Sequence, residues 1–407
     1  MADAKRILYV TNGFPYPLTS GYLRHYFLIG ELANAGFHVV LLSIVGVDHR
    51  PEDVAAMADR TERVETFASL DRTRSRRQTL ARRAGRVLPL AGGDPAARRL
   101  ARRIEELVRT ESFDAVVFSG RRTEPALERL DELPVVIDMC DATSLRLERE
   151  MAVAPTGRRA ALMVEARQIR RTERRMIDRA DHLLFASVRD QEALMPGPAD
   201  PRASVVPNGV EIDVWDRKTP RLGTDTIVLT GAMSYGPNVD AAIVLARTIL
   251  PAVRESRPDA RLLIVGRDPT ADVQALAELP GVTVTGFVDD VRPYLEDASV
   301  FAAPLRFGAG IQNKLLEAMA MQVPSVVSGL AADGLRNATG EMPPVVVEDD
   351  PVAFTAALVD ALDRAASDGT PDEVARTYVA RNFDWRRSGG DLATILEDVT
   401  GRHASAG

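Results

Sequence analysis

Short apolar runs alternate with longer amphipathic stretches along the whole chain. Strand-like runs stand at Arg6–Thr11, His38–Ile44, Ala115–Ser119, Val135–Asp138, His182–Ala186 and Ser204–Val206. They continue at Thr226–Thr230, Arg261–Val265, Val282–Thr285, Val300–Ala303, Ser325–Ser328 and Val345–Val347. Most are β-branched and do not alternate strictly, the pattern of strands covered on both faces. Helical periods fill the gaps, for example Leu23–Ala35, Asp240–Val253 and Ile311–Met321. Strand–helix alternation of this kind predicts parallel sheets.

A single parallel sheet of a dozen strands is unusual, so the pattern predicts two sheets of about six. The seam falls after Val206. From Pro207-Asn208-Gly209-Val210 to Gly223 the chain is rich in turn residues and charges and poor in periodicity, which reads as a linker. The expected organisation is an α/β chain with a domain over 1–206, a linker over 207–224, a second domain over 225–383 and a terminal helix over 384–407.

Composition narrows the chemistry. The 407 residues are 45% hydrophobic and 27% charged, which suits a globular protein and excludes a disordered or disulfide-scaffold chain. Acidic residues outnumber basic ones, 58 to 51, for a formal charge of −7, which disfavours a nucleic-acid partner. Cys140 is the one cysteine, so no internal disulfide or cysteine-cluster metal site forms. The five histidines show no HExxH spacing, and no metal is expected. No apolar run approaches the ~18–20 residues of a membrane span. The start, Met1-Ala2-Asp3-Ala4-Lys5-Arg6, lacks a signal-peptide pattern, so a cytoplasmic protein is expected. Two arginine-rich stretches, Arg72–Arg109 and Arg158–Arg175, read as solvated helix faces or as a weak contact with an anionic surface such as a membrane. In the second, Glu165 and Glu173 are expected to pair with arginines of the same helix.

In open parallel sheets, ligands bind at the loops after the carboxyl ends of the strands. Three such loops stand out. The first, Thr11 to His25, opens a helix near Ser20 or Gly21; Gly21 would admit a close ligand and Arg24 sits in the first turn. It does not read GxGxxG, so a nicotinamide fingerprint is absent. The second is Gly231-Ala232-Met233-Ser234-Tyr235-Gly236-Pro237-Asn238. The third follows Val300–Ala303 and holds Arg306, Gly308, Gly310, Ile311, Gln312, Asn313 and Lys314, with Glu317 further along the helix. Lys314 is one of only three lysines, beside Lys5 and Lys218. Open helix amides with a lysine and Arg306 suit a diphosphate, and a carboxylate at Glu317 suits sugar hydroxyls.

The order of Pro207-Asn208-Gly209-Val210, Leu262-Leu263-Ile264-Val265-Gly266, Val284-Thr285-Gly286-Phe287-Val288 and Leu316-Glu317-Ala318-Met319-Ala320 resembles glycosyltransferase family 4, retaining enzymes of the GT-B fold. The Gly310-to-Glu317 variant, with Tyr235-Gly236-Pro237-Asn238, is similar to a bacterial branch from exopolysaccharide and natural-product clusters. The resemblance implies two Rossmann-like parallel-sheet domains facing across a cleft, an acceptor-side amino-terminal half and a last helix crossing back to it. It further implies transfer of a sugar from a nucleoside-diphosphate sugar to an acceptor nucleophile on a polysaccharide, lipid-linked or natural-product acceptor; no acidic pair with metal-binding spacing stands beside the phosphate loop, so no obligatory metal is expected. Glu317 would hold the ribose, Gly310 to Lys314 the phosphates, Gly286, Phe287 and Val288 the base, and Gly21 and Gly231 would approach the donor.

Three positions depart from the family pattern. Its first glutamate falls at Ala309, its basic residues of the first carboxy-terminal loop fall within Ala232–Asn238, which holds none, and its amino-terminal histidine falls near Cys140. Arg306, Lys314 or Arg267 would supply the missing charge. Asp138 or Asp141 would replace the histidine, as orienting group or base, unless Asp138 is a turn or capping residue. Tyr16, Arg24 and His25 are candidates on the acceptor side. A nucleotide-sugar epimerase or hydrolase of the same shape, and a non-catalytic nucleotide-sugar-binding protein, are the alternative readings.

Overall fold

A computed structural model describes residues 4–18, 22–46, 49–69, 94–130, 132–218, 223–367 and 371–406. The chain divides into two compact units. The first comprises Met1–Ala186, Asp190–Val206 and Trp385–Gly407, and the second Ser187–Arg189 and Pro207–Asp384.

The first unit holds a seven-stranded sheet in the order β3-β2-β1-β4-β5-β6-β7. Its strands are β1 Arg6–Thr11, β2 His38–Val45, β3 Arg63–Ala68, β4 Ala115–Ser119, β5 Val135–Cys140, β6 His182–Phe185 and β7 Ala203–Val205. Every pairing is parallel. Both faces are apolar, as full coverage by helices requires. Leu8, Val10, Val40 and Leu42 face Leu100, Ile104 and Leu107 of the helix Pro95–Thr110. The alternate residues Ile7, Tyr9, Val39 and Leu41 face Leu28, Ile29 and Leu32 of the helix Leu23–Asn34, together with Leu392, Leu396 and Val399 of the helix Trp385–Ala406. The spacings 100/104/107 and 392/396/399 place each set on one helical stripe.

The second unit repeats the topology with six parallel strands in the order β10-β9-β8-β11-β12-β13. These are β8 Thr226–Thr230, β9 Arg261–Val265, β10 Val282–Gly286, β11 Val300–Ala303, β12 Ser325–Val327 and β13 Val346–Val347. In each unit the order reverses beside the first strand, between β1 and β4 and between β8 and β11, the position where α/β sheets open a crevice for ligands.

The structure differs from the expected elements in four places. β3 is an additional strand: it lies at the sheet edge, and none of its residues is fully buried, so it lacks the continuous apolar run of a central strand. The helix expected over Asp240–Val253 is Gly236–Val244, then a π turn at Leu245–Ile249, then Leu250–Ser256. Pro251 near the start of the last piece has no N–H to continue the α ladder. The stretch 207–218 falls within the second unit, held there by two arginines: Arg217 donates to the carbonyls of Glu296 and Met321, and Arg376 donates to those of Ile212 and Trp215. In the arginine-rich helix Thr156–Arg179, Arg158, Arg170 and Arg175 pair with Glu150, Glu148 and Glu124 from other segments rather than with their own helix. Glu173 turns inward and accepts from the Ser144 amide at 3.2 Å. Most of Arg72–Arg109 before Pro95 lies outside the described residues. Among the described residues no helix is long and apolar enough to cross a membrane.

The terminal helix is bound by a ring stack. Trp385, 3% exposed, lies parallel to Phe27 with centroids 4.7 Å apart. Trp385→Ala is expected to destabilise the first unit by about 3–5 kcal/mol, the usual cost of emptying a buried indole site. Urea unfolding followed by far-UV circular dichroism measures this; a loss below about 1 kcal/mol would show that the stack contributes little.

Candidate functional site

In the second unit, the loops after β8 and β9 touch. The Gly231 amide donates to the Val265 carbonyl at 3.0 Å, and the Met233 amide to that of Arg267 at 2.8 Å. The approach is so close that a Cβ on Gly266 would lie 1.7 Å from the Gly231 oxygen, and Gly266 has φ +152°. Only glycine fits there. Asn238 is buried and donates to the Ala232 carbonyl at 3.0 Å, bracing the first loop.

The loop after β11 leads through Gly308 and Gly310 into the helix Asn313–Ala320. Gln312 occupies the capping position but makes no side-chain cap. Its side-chain oxygen instead accepts from Lys314 Nζ at 2.8 Å. The Gln312 side chain therefore leaves the helix start uncapped, where partial positive charge collects. Asn208 Nδ2 donates to Asn313 Oδ1 at 3.0 Å, tying the Pro207-Asn208-Gly209-Val210 turn to the first helical residue.

Lys314 and Glu317 lie three residues apart on this helix. Burial pushes the Lys314 ammonium down to about 8, and Glu317 partly offsets that. Burial likewise pushes the Glu317 carboxyl up to about 7, with Lys314 acting against it. Each group thus titrates near neutrality, which is the mark of charges kept from water without full compensation. Lys314 is 9% exposed and Glu317 half-buried.

The other residues expected on this side are arranged differently. Arg306 is bound by both arms to Asp240, and its side chain is 53% exposed. Arg267 pairs with Asp268 at 2.6 Å on the surface. Lys314, 9% exposed, is a buried cation at the start of the helix. Phe287 is 61% exposed beyond Gly286, while Val288 and Ile311 pack against the core. Ala309 is buried.

In the first unit, Arg24, His25 and Asp138 form a buried cluster. Arg24 Nε donates to Asp138 Oδ2 at 2.7 Å, with side chains 4% and 0% exposed. Burial opposes ionisation of Asp138, but the Arg24 guanidinium outweighs it and holds the carboxyl below its usual range. The other carboxylate oxygen accepts the Cys140 amide at 3.1 Å, where φ of Cys140 is +52° and the register between β5 and β6 shifts. His25 Nδ1 is hydrogen-bonded to the Tyr9 hydroxyl at 3.0 Å, and burial lowers its pKa to about 4.

These contacts correct the expectations for three residues. Asp138 is an inward-facing ion-pair partner, as the turn reading allowed, and has no access to an acceptor hydroxyl. Arg24 and His25 are core residues, 3% and 2% exposed, rather than surface acceptor contacts. One ligand-type atom each from His25, Asp138 and Cys140 lies within 4.8 Å of the others. The Asp138 carboxylate in this group is also the partner of the Arg24 guanidinium. Asp141 is exposed just past β5, and Tyr16 is half-buried with its ring 6.1 Å from that of Tyr26. Gly21 lies outside the described residues.

One residue near the loop escaped sequence reasoning. Arg189, 4% exposed, donates to the Gly310 carbonyl at 2.8 Å and to the Leu330 carbonyl at 2.7 Å. The signal was an arginine in the first turn of the helix Val188–Leu194, which follows β6, a position that loop-by-loop reading of the second half did not cover.

Residues 224–364 match the family model described as glycosyl transferases group 1. The phosphatidyl-myo-inositol mannosyltransferase of Mycobacterium leprae (strain TN) is 30% identical over 209 residues, 48% of this chain. The match spans 53% of that relative, about half its length. Among solved structures, a glycosyltransferase from Rickettsia africae superposes with a TM-score of 0.68 at 12% identity, covering 98% of this chain and 99% of that one. HepE of Anabaena, solved with UDP and glucose, gives 0.62 at 14% identity over 96% and 99% of the two chains. At such identities these likenesses establish the fold, which is GT-B with two Rossmann-like domains. The resemblance read from the motifs of the second half is borne out.

Removing one partner of the Arg24–Asp138 pair leaves a buried charge alone. Asp138→Asn is expected to cost about 3–5 kcal/mol, and the double change with Arg24→Met less than the single one. Denaturant titration of the four proteins measures the coupling; additive losses would show the pair to be energetically inert.

Proposed function

We propose that this chain, a GT-B protein whose residues 224–364 belong to the glycosyl transferases group 1 family, moves a sugar from a nucleoside-diphosphate sugar to an acceptor nucleophile with retention of anomeric configuration. The observation that carries this reading is the uncapped start of the helix Asn313–Ala320, with a buried lysine and a buried-side carboxylate one turn apart. As the bond to the leaving group breaks, negative charge grows on the diphosphate. Preorganised amides and an ammonium in a dry site stabilise such charge more than water does. Glu317 accepts hydrogen bonds from the ribose hydroxyls, and Gly286 to Val288 line the base. The phosphatidyl-myo-inositol mannosyltransferase relative and the neighbour solved with UDP and glucose favour a uridine diphosphate sugar and a polyol or lipid-linked acceptor. In this reading the positive charge comes from the chain, so turnover persists in EDTA. Asp141 and Tyr16 remain candidates on the acceptor side.

The absence of an acidic residue at 309 and of any basic residue in 232–238 supports a second reading, a nucleotide-sugar-binding protein without turnover. Incubation with each donor and an acceptor panel separates the two: product with retained anomeric configuration supports transfer, and binding without product supports the second.

A thermal-shift screen against UDP, GDP, ADP and TDP tests nucleotide binding directly. The cognate nucleotide at 100-fold excess over its Kd adds about 2.7 kcal/mol of stability. Lys314→Ala is expected to lower turnover by roughly 10²–10³-fold, by analogy with loss of one oxyanion donor, while moving the melting point little. Unchanged kinetics would remove Lys314 from the mechanism.

The pH dependence follows from the two buried groups. Lys314 is held low, so its charge is lost as pH rises through about 8, and the diphosphate then binds more weakly. Glu317 is held high, so it takes up a proton as pH falls through about 7 and ceases to accept two ribose hydroxyls. Nucleotide affinity measured by calorimetry is therefore expected to peak between pH 7 and 8, with the alkaline arm missing in Lys314→Met and the acid arm missing in Glu317→Gln.

A further inference from the structure

We infer that Arg189 is a positioning residue for the donor diphosphate, acting by holding the Gly308–Gln312 loop. The inference rests on the proposed nucleotide-sugar reading and deepens it. Arg189 follows β6 in the chain, yet Ser187–Arg189 packs with the second unit. There its guanidinium bridges two connections. Nη2 donates to the Gly310 carbonyl at 2.8 Å, after β11, and Nη1 donates to the Leu330 carbonyl at 2.7 Å, after β12. The residue is 4% exposed, and its Nε makes no hydrogen bond.

Gly310 is the last glycine before the helix. Its φ of +70° is a left-handed value, so the carbonyl direction there is a fixed feature of the turn. With that oxygen drawn onto Arg189, the peptide cannot flip, and the following amides at Ile311 to Lys314 keep one orientation. Gly334 completes the arrangement from the other side: a Cβ at that position would lie 3.0 Å from the Gly310 oxygen and 3.5 Å from Arg189 Nη1. The backbone of Gly334 is ordinary helix, φ −63° and ψ −20°, so alanine adds bulk there without backbone strain. The loop carbonyl is thus clamped between a guanidinium and a glycine.

A planar fork with donors on two arms suits this task and an ammonium does not, because one Nζ on a flexible stem cannot span both carbonyls in fixed geometry. Arg189→Lys therefore keeps the buried charge but loses the bridge. Gly334→Ala keeps both charge and bridge but displaces the carbonyl by a few tenths of an ångström. A residue that merely stabilises the fold would lower the melting point and leave the folded protein's nucleotide affinity intact.

The experiment compares the wild-type chain, Arg189→Met, Arg189→Lys and Gly334→Ala by isothermal titration with UDP and GDP, and by hydrogen–deuterium exchange of the free proteins. Folding is checked by circular dichroism. The expected result is a Kd weakened roughly 10–100-fold in Arg189→Met, the range of a lost charge-assisted hydrogen bond. Arg189→Lys recovers little of it, and Gly334→Ala weakens binding in the same direction. Exchange at residues 310–314 quickens in both Arg189 variants without any nucleotide present. Should Arg189→Met fail to fold, Gly334→Ala and Arg189→Lys carry the test. Wild-type binding with unchanged affinity in the folded variants, or unchanged exchange at 310–314, overturns the role of Arg189 and leaves the donor site standing. Unchanged exchange together with no binding of either diphosphate to the wild-type chain overturns both.

Discussion

The helix Asn313–Ala320 is fastened at one end and left open at the other, and the chemistry of the second unit depends on that asymmetry. Terminal helix carbonyls need donors once water is excluded. Here arginines provide them: Arg217 reaches the Met321 carbonyl and Arg376 the Ala320 carbonyl, at 3.4 and 2.6 Å. At the amino end the capping position is Gln312, whose side chain turns to Lys314 instead of to the backbone. A helix fixed this way cannot slide to relieve its unsatisfied amides, so they remain available to an anionic ligand.

The same device recurs at Arg189, on the Gly310 and Leu330 carbonyls. Three buried or half-buried arginines in one unit spend their donors on main-chain oxygens of turns and helix ends. A guanidinium suits this because it carries five donors in a rigid plane and stays charged when desolvated. Arginine is frequent throughout the chain, but these three are set apart by partners that lie between 56 and 164 positions away. The linker-like stretch from Pro207 reads as loose because its order comes from Arg217 and Arg376 and not from its own periodicity.

Much of the fold was legible because parallel strands covered on both faces announce themselves as unbroken β-branched runs. β1, β4, β8, β9 and β11 have the bounds that the runs predict, and the helix stripes follow from their spacing. β3 was missed for the converse reason: Arg63-Val64-Glu65-Thr66-Phe67-Ala68 is an edge strand with polar residues at half its positions, and so has no apolar run to find. The loop after β11 stood out as a candidate because glycines, a rare lysine and a glutamate one turn on occur together in a short segment. Loop position alone does not tell an inward side chain from an outward one. Arg24 in the helix after β1 and Asp138 near the end of β5 lie 114 positions apart, yet they meet in the core.

Lys314 and Glu317 differ from the Arg24–Asp138 pair in a way that bears on their roles. In the latter, direct contact at 2.7 Å drives both groups further into their charged forms, so the pair is electrostatically satisfied and resists change. Lys314 and Glu317 are shifted the opposite way, each toward its neutral form, because burial outweighs their mutual attraction. A diphosphate beside Lys314 would restore its charge, and hydroxyls on Glu317 would do the same for the carboxylate. Ligand binding would thus relieve a cost that folding leaves in place, whereas a structural ion pair has no such cost to relieve. The two pairs show in one molecule why a charged residue at a strand end becomes a candidate for function only when its own protein partners leave it unsatisfied.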